Sequence, residues 1–390
     1  MSPFSERSDQ GLAPNALTRA LSRIRAAGGE LIDLRNGNPT TVGLSPSASQ
    51  LEVCLRGEEL ARYRPEAFGR YETRALLAKQ LRLGGHAVDP TQIMLSASTS
   101  DAYSYLFKLL CDPGDEVLVP SPSYPLLNVL AQLEGVVPVP YRLAYDGQWH
   151  IAGDALKGAV GPRTRAVVAV HPNNPTGSFL KEDELVLLAS LGLPVISDEV
   201  FADYALAPGT KVQSALVCAE RCLVFRLEGL SKSLALPQLK LAWTVIAGPP
   251  SARDAACERL AHIADAHLSV SGVAEASLAR LWPLGVSIQK AIVDRCRTNL
   301  ALLRSRIGPD STLSVLTVEG GWYAILRLPA VQTDEAWALG LLEHDHVWVQ
   351  PGYLFDLDVG AHLVLSLITP PQEFACGVSR LLSRVDRVLT

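Results

Sequence analysis

A chain of 390 residues, 48% hydrophobic and 19% charged, can bury a large core, and one large plus one small domain is expected. Its formal net charge of -5 argues against nucleic acid as a main partner, because phosphate neutralisation needs a basic face. No stretch has the length of an uncharged membrane span, and residues 1–10 lack the apolar run of a secretory signal. Seven cysteines at irregular spacing fit the reduced thiols of a cytoplasmic protein. Cys218 and Cys222 lack a matching second pair and His344-Asp345-His346 reads as a turn, so no metal site is expected.

Residues 1–15 read as an arm rich in Ser, Pro and Gly. Apolar runs at 116–120, 136–141, 166–170, 195–197, 223–227 and 241–247 then alternate with helical patterns at 102–110, 126–133 and 182–191. Continuous β-branched strands alternating with helices predict an α/β fold, a mainly parallel sheet covered on both faces. Such sheets bind ligands at the carboxyl ends of their strands. A long helical region, 273–306, leads into a smaller α+β part with strands at 317–328, 346–350 and 362–367. The expected division is an arm and small-domain edge at 1–45, a large domain at 46–270, and a connecting helix with the small domain at 271–390.

The chemistry-bearing residues sit at the ends of these runs. Lys232 lies between two apolar segments, Cys222–Leu227 and Leu241–Ile246. A lysine delivered into an apolar setting is disfavoured when charged, so its pKa falls and its amine becomes a usable nucleophile. Ser98-Thr99-Ser100 opens a helix, where hydroxyls and N–H groups either cap the helix or seat a phosphate. Tyr124, fixed by flanking prolines after the 116–120 strand, is a stacking platform or a packing residue. Asn174, in His171-Pro172-Asn173-Asn174-Pro175-Thr176-Gly177, follows the 166–170 strand, and Asp198 ends the next.

In order and interval these segments resemble the fold-type I, aspartate-aminotransferase-like family (class I and II aminotransferases), from about residue 34 to about residue 382. The resemblance implies a seven-stranded-type sheet in a large domain that binds pyridoxal 5'-phosphate, and a smaller α+β domain. It implies that Lys232 forms a Schiff base with the cofactor. Ser98, Thr99, Ser100, Ser231 and Lys240 would hold its phosphate, Tyr124 would stack on its ring, and Asn174 would bond its phenolic oxygen. Asp198 would pair with its ring nitrogen. The family also implies a homodimer in which an aromatic from the neighbouring chain reaches the phosphate, matched by Tyr63, with Tyr71 a lesser candidate.

Five departures stand out. Ser98 replaces a usual glycine, Gly229 a usual phosphate-binding serine, and Lys240 a usual arginine. Phe201 stands where a tyrosine commonly bonds the phenolic oxygen. The largest departure is Val364, in the place of the arginine that grips the substrate carboxylate; an arginine restored there is expected to improve amino acid binding if space allows. Arg35, Gly37 and Asn38, in a loop matching the substrate-site edge, and Trp322 and Tyr323 after Gly320-Gly321 are expected near the substrate. The implied reaction is transfer of an amino group from an amino donor to a 2-oxo acid. The alternative is a lyase, replacement, cyclisation or decarboxylation reaction on an unusual amine or amino acid.

Overall fold

The computed structural model describes residues 3–8, 13–207, 210, 212–308, 311–357 and 359–390. Its strands are β1 (Ile32–Asp33), β2 (Ile93–Ser96), β3 (Glu116–Ser121), β4 (Val137–Tyr145), β5 (Trp149–Ile151), β6 (Thr164–Val170), β7 (Val195–Asp198), β8 (Val224–Gly229) and β9 (Ala242–Ala247). The later ones are β10 (Ser314–Val315), β11 (Tyr323–Leu328), β12 (Val347–Trp348), β13 (Gln350–Pro351) and β14 (Ala361–Ser366).

Eight strands form one sheet in the order β2-β9-β8-β7-β6-β3-β4-β5. The pairs β3–β4, β3–β6, β6–β7 and β7–β8 are parallel, whereas β2–β9, β8–β9 and β4–β5 are antiparallel. Since β9 opposes both β2 and β8, six strands point one way and β9 and β5 point back. The segments leaving β2, β3, β6, β7 and β8 therefore emerge at one edge of the sheet. β9 starts at that edge, with Ala242 opposite Gly229, so Lys240 also arrives there.

Burial explains the continuous apolar runs. Val167, Val195 and Val224 are fully buried under the face covered by helix Glu182–Ser190. Val168, Ile196 and Phe225, the next residue in each strand, are fully buried under helices Thr99–Leu110 and Pro250–Asp265. Successive side chains feed opposite layers, so neither face is polar. Two short strands, β2 and β5, were not legible as runs. β2 is four residues held by β9, and β5 is three residues folded back onto an extended β4.

A second, antiparallel sheet has the order β10-β11-β14-β13, and β1 pairs with β12. The strand expected over 317–328 pairs from Tyr323 only, because the Glu319 and Gly320 N–H groups both turn to Gly177 O. Gly177 has φ +68°, and a Cβ there would press on Gly320 O, so only glycine suits this approach. Helix Gly272–Arg306 joins the two parts. Among the described residues no helix is long and apolar enough to cross a membrane.

Candidate active site

Lys232 rides on a one-turn helix, Leu230–Ser233, that β8 delivers to the common edge. The Leu230 N–H donates to Leu241 O (2.9 Å), and the Tyr204 hydroxyl donates to the Lys232 carbonyl, fixing the turn. Its Nζ lies 4.5 Å from the Trp322 ring centroid and 5.2 Å from that of Phe201. The two rings meet edge to face at 5.2 Å. Burial brings the Lys232 pKa down to about 8, against the opposing pull of Asp198. Burial beside the two rings withholds water from the ammonium, and this desolvation favours the neutral amine.

Asp198 ends β7, opposite Val170 of β6 and Leu227 of β8, which puts it between the segments carrying Asn174 and Lys232. Burial raises its pKa to about 6. The Val200 N–H (3.2 Å) and the Tyr103 hydroxyl (3.1 Å) donate to its two oxygens and oppose that rise. Tyr103 was not read from sequence. It lies four residues, about one helical turn, beyond Thr99, and that spacing on the inward face is the signal available.

The neighbouring asparagines divide their work. Asn173 is saturated, donating to Pro122 O (3.0 Å) and Thr176 Oγ1 (3.0 Å), whereas Asn174 has a buried amide oxygen with no partner. That orphaned amide is an open hydrogen-bonding position at the sheet edge.

Ser98 caps helix Thr99–Leu110, its Oγ accepting from the Asp101 N–H at 3.1 Å. Its φ of -157° is extended backbone, which explains why serine serves where glycine is usual. Among the described residues no acceptor meets the N–H groups of Thr99 or Ser100, which stay open as helix-start donors. A Cβ at Gly229 would stand 3.0 Å from Ala242 Cβ, so a serine there would crowd β9. Ser231 is half-buried on the Lys232 turn, and Lys240 is exposed in a left-handed conformation at φ 50°. Tyr124 is 47% exposed at the rim, its ring 6.4 Å from Phe355.

On the substrate side, the Arg35 guanidinium stacks on Trp348 at 3.2 Å, and its Nε, 3.5 Å from Asp33 Oδ1, has no hydrogen-bond partner. Burial lowers the Arg35 pKa, while the Asp33 charge opposes this. Gly37 leaves room for the Tyr323 hydroxyl, which occupies the space a Cβ would need. Asn38 is engaged elsewhere, its side chain accepting from the Thr40 N–H (3.1 Å) and hydroxyl (2.8 Å). Trp322 is fully buried against Phe201 and Tyr204, with its Nε1 unpartnered. Val364 is fully buried in an apolar cluster with Leu316, Ile325, Phe355 and Leu357. Tyr63 is 83% exposed and lines a small cavity with Gly69, Arg70 and Glu275.

Comparison with known proteins shows the family. The family model for Aminotransferase class I and II matches residues 30–371. Alanine aminotransferase of Mycobacterium tuberculosis is 24% identical over 372 residues, spanning 92% of this chain and 86% of that protein. Aspartate aminotransferase of Streptomyces avermitilis is 28% identical over 394 residues, spanning 95% and 92%. Among solved structures, alanine aminotransferase from Pyrococcus furiosus superposes with a TM-score of 0.86 at 24% identity, covering 98% of this chain and 100% of that one. With the model match covering most of its length, this chain belongs to the class I and II aminotransferase family.

Proposed function

We propose that this enzyme is a pyridoxal-phosphate-dependent aminotransferase in which Lys232 is both the covalent anchor of the cofactor and the proton carrier. The observation that carries the reading is the Lys232 amine, desolvated by Trp322 and Phe201 to a pKa of about 8 on the same sheet edge as Asp198. Bound pyridoxal phosphate supplies an aldehyde for that amine and an electron-withdrawing ring that acidifies the substrate α-carbon.

The residues present fit that group. The Thr99 and Ser100 N–H groups at the helix start, with Ser231 and Lys240, would hold its phosphate. The orphaned Asn174 amide would bond its phenolic oxygen. Asp198, mostly ionised at neutral pH with a pKa of about 6, would pair with its ring nitrogen and keep it protonated. Tyr124 would stack on its ring. Trp322 and Phe201 exclude water from the Lys232 amine, which takes a proton from the substrate and returns it as general base and acid. Arg35, half-buried with a free Nε, is the candidate carboxylate anchor, because Asn38 is occupied with Thr40.

The substrates on this reading are an amino donor and a 2-oxo acid, and the relatives favour transfer over the lyase-type alternative. The exposed Tyr63 supports a homodimer in which it reaches the neighbouring site, a state that light scattering reads directly. Free cysteines, including buried Cys54, Cys218, Cys222 and Cys296, fit a reducing, cytoplasmic setting.

The test is a spectral half-reaction. Holoenzyme is mixed with alanine, glutamate or an aromatic amino acid, with no acceptor present. Loss of the lysine-linked visible band with formation of pyridoxamine phosphate is expected, and Lys232→Ala should lack both band and conversion. Ammonia release without pyridoxamine phosphate, or an unaltered band in Lys232→Ala, overturns the reading.

A further inference from the structure

Away from Lys232 the fold leaves a second cavity of about 620 Å³ between the outer edge of the large sheet and the four-stranded sheet. From β4 and β5 come Arg142, Tyr145 and Trp149, and from β11 and β14 come Arg327 and His362. Register holds them there, with Tyr145 opposite Trp149 and Arg327 opposite His362. Lys232, Asp198, Asn174, Phe201 and Trp322 do not line this space.

Its chemistry is unsatisfied in a particular way. Arg142 and Arg327 are exposed towards the cavity, and among the described residues neither has a carboxylate partner. Arg163 and Arg165, at the other end of β3, are by contrast paired with Glu116 and Asp115. The Arg327 guanidinium sits 5.6 Å from the Tyr145 ring centroid. Trp149 and His362 are 7% and 3% exposed, yet Trp149 Nε1 and His362 Nδ1 have no hydrogen-bond partner. Buried polar groups without partners are uncommon and costly, and both of these belong to side chains that line the one cavity. Among the described residues of this lining, Asp356 is the acid beside Arg142 and Arg327. The remaining wall is aromatic and aliphatic, including Tyr141, Leu316 and Leu357.

We propose that this cavity is a second ligand site, separate from the Lys232 pocket, for a small organic carboxylate with a planar apolar body. Arg142 and Arg327 take the carboxylate, and Tyr145 and Trp149 flank the body. An inorganic anion would satisfy the arginines but leave the aromatic wall uncovered. Since the two guanidinium groups stand on different sheets, a bridging occupant favours the arrangement that brings those sheets together.

Calorimetric titration of the holoenzyme with benzoate tests this, with benzylamine as a cation of similar shape and inorganic phosphate as the bare anion. Saturable benzoate binding is expected, weakened roughly tenfold or more in Arg142→Gln and in Arg327→Gln, the loss of one charge-assisted contact. Benzylamine should not bind, and phosphate should bind more weakly than benzoate. Both arginines are exposed, so an unchanged melting temperature is expected and shows that the variants fold. Equal benzoate affinity in the wild type and both variants overturns the proposal, as does absence of saturable binding. Tighter binding of phosphate overturns the apolar body, and displacement of benzoate by an amino donor puts it in the Lys232 pocket instead. The titration reads binding alone, so it stands or falls independently of the transamination assay.

Discussion

At the scale of single residues, the informative contacts surround Asp198. Its acid character is legible in the sequence because it ends a strand just before Glu199, and Lys232 is legible from its apolar flanks. Tyr103 is not, because its hydroxyl meets Asp198 across 95 residues of chain, and only the packing of helix Thr99–Leu110 on the sheet aligns them. Burial already raises the Asp198 carboxyl to about 6, so each donor that steadies the carboxylate matters. Tyr103→Phe should slow the half-reaction roughly tenfold at neutral pH, as expected for one lost hydrogen bond to a charged group (about 1.5 kcal/mol). The acid limb of its pH profile should also move upward, since the ionised form of Asp198 loses support. A profile superimposable on the wild type would reduce Tyr103 to a packing residue.

Among the elements, β14 departs most from expectation. The sequence places Val364 where the family grips a carboxylate, and a restored arginine looked like a gain if space allowed. The structure places Val364 under Phe355 and Leu357, paired with Ile325 on one side and Gln350 on the other. A guanidinium there would lose its hydration without a partner, a cost of several kcal/mol. Val364→Arg should therefore lower the urea midpoint strongly and leave amino acid binding no better; a stable variant with tighter glutamate saturation would refute this. The same pairing logic explains what was legible elsewhere. Long runs such as β6 and β8 announce themselves because both faces are buried. β2 and β5 are too short to show a pattern and exist through their neighbours β9 and β4.

For the whole molecule, one buried ion cluster ties several layers together. Arg226 in β8 is shared by Glu199 (2.9 Å) and Glu228 (2.7 Å), and Trp243 Nε1 donates to Glu228 at 2.7 Å. One cation does not fully serve two carboxylates. Glu199, held by Ser197, Ser214 and the Ala215 N–H, stays below its ordinary value, whereas burial and the neighbouring acids push Glu228 up to about 7. A carboxyl raised on folding stabilises fully below its unfolded pKa, about 4.5, and loses that contribution as pH rises through 7. Wild type should thus lose more unfolding free energy between pH 5 and pH 8 than Glu228→Gln, by on the order of 3 kcal/mol at most. Urea titrations at the two pH values compare the proteins directly, and equal losses would show that Glu228 stays ionised throughout.

The N-terminal segment has a consequence in time. Leu34 O accepts from the Ser366 N–H, and the Asn36 carbonyl accepts from the Ser366 hydroxyl across 330 residues of chain. Helix Ala16–Ala26 packs on helix Asp334–Asp345 through the same core. At ribosomal speeds of about 5 to 20 residues per second, the first part synthesised waits roughly 15 to 65 s for its partners. During that interval Leu17, Leu21 and Leu34 remain uncovered, so the core around the four-stranded sheet is the last to close although part of it is made before the large sheet.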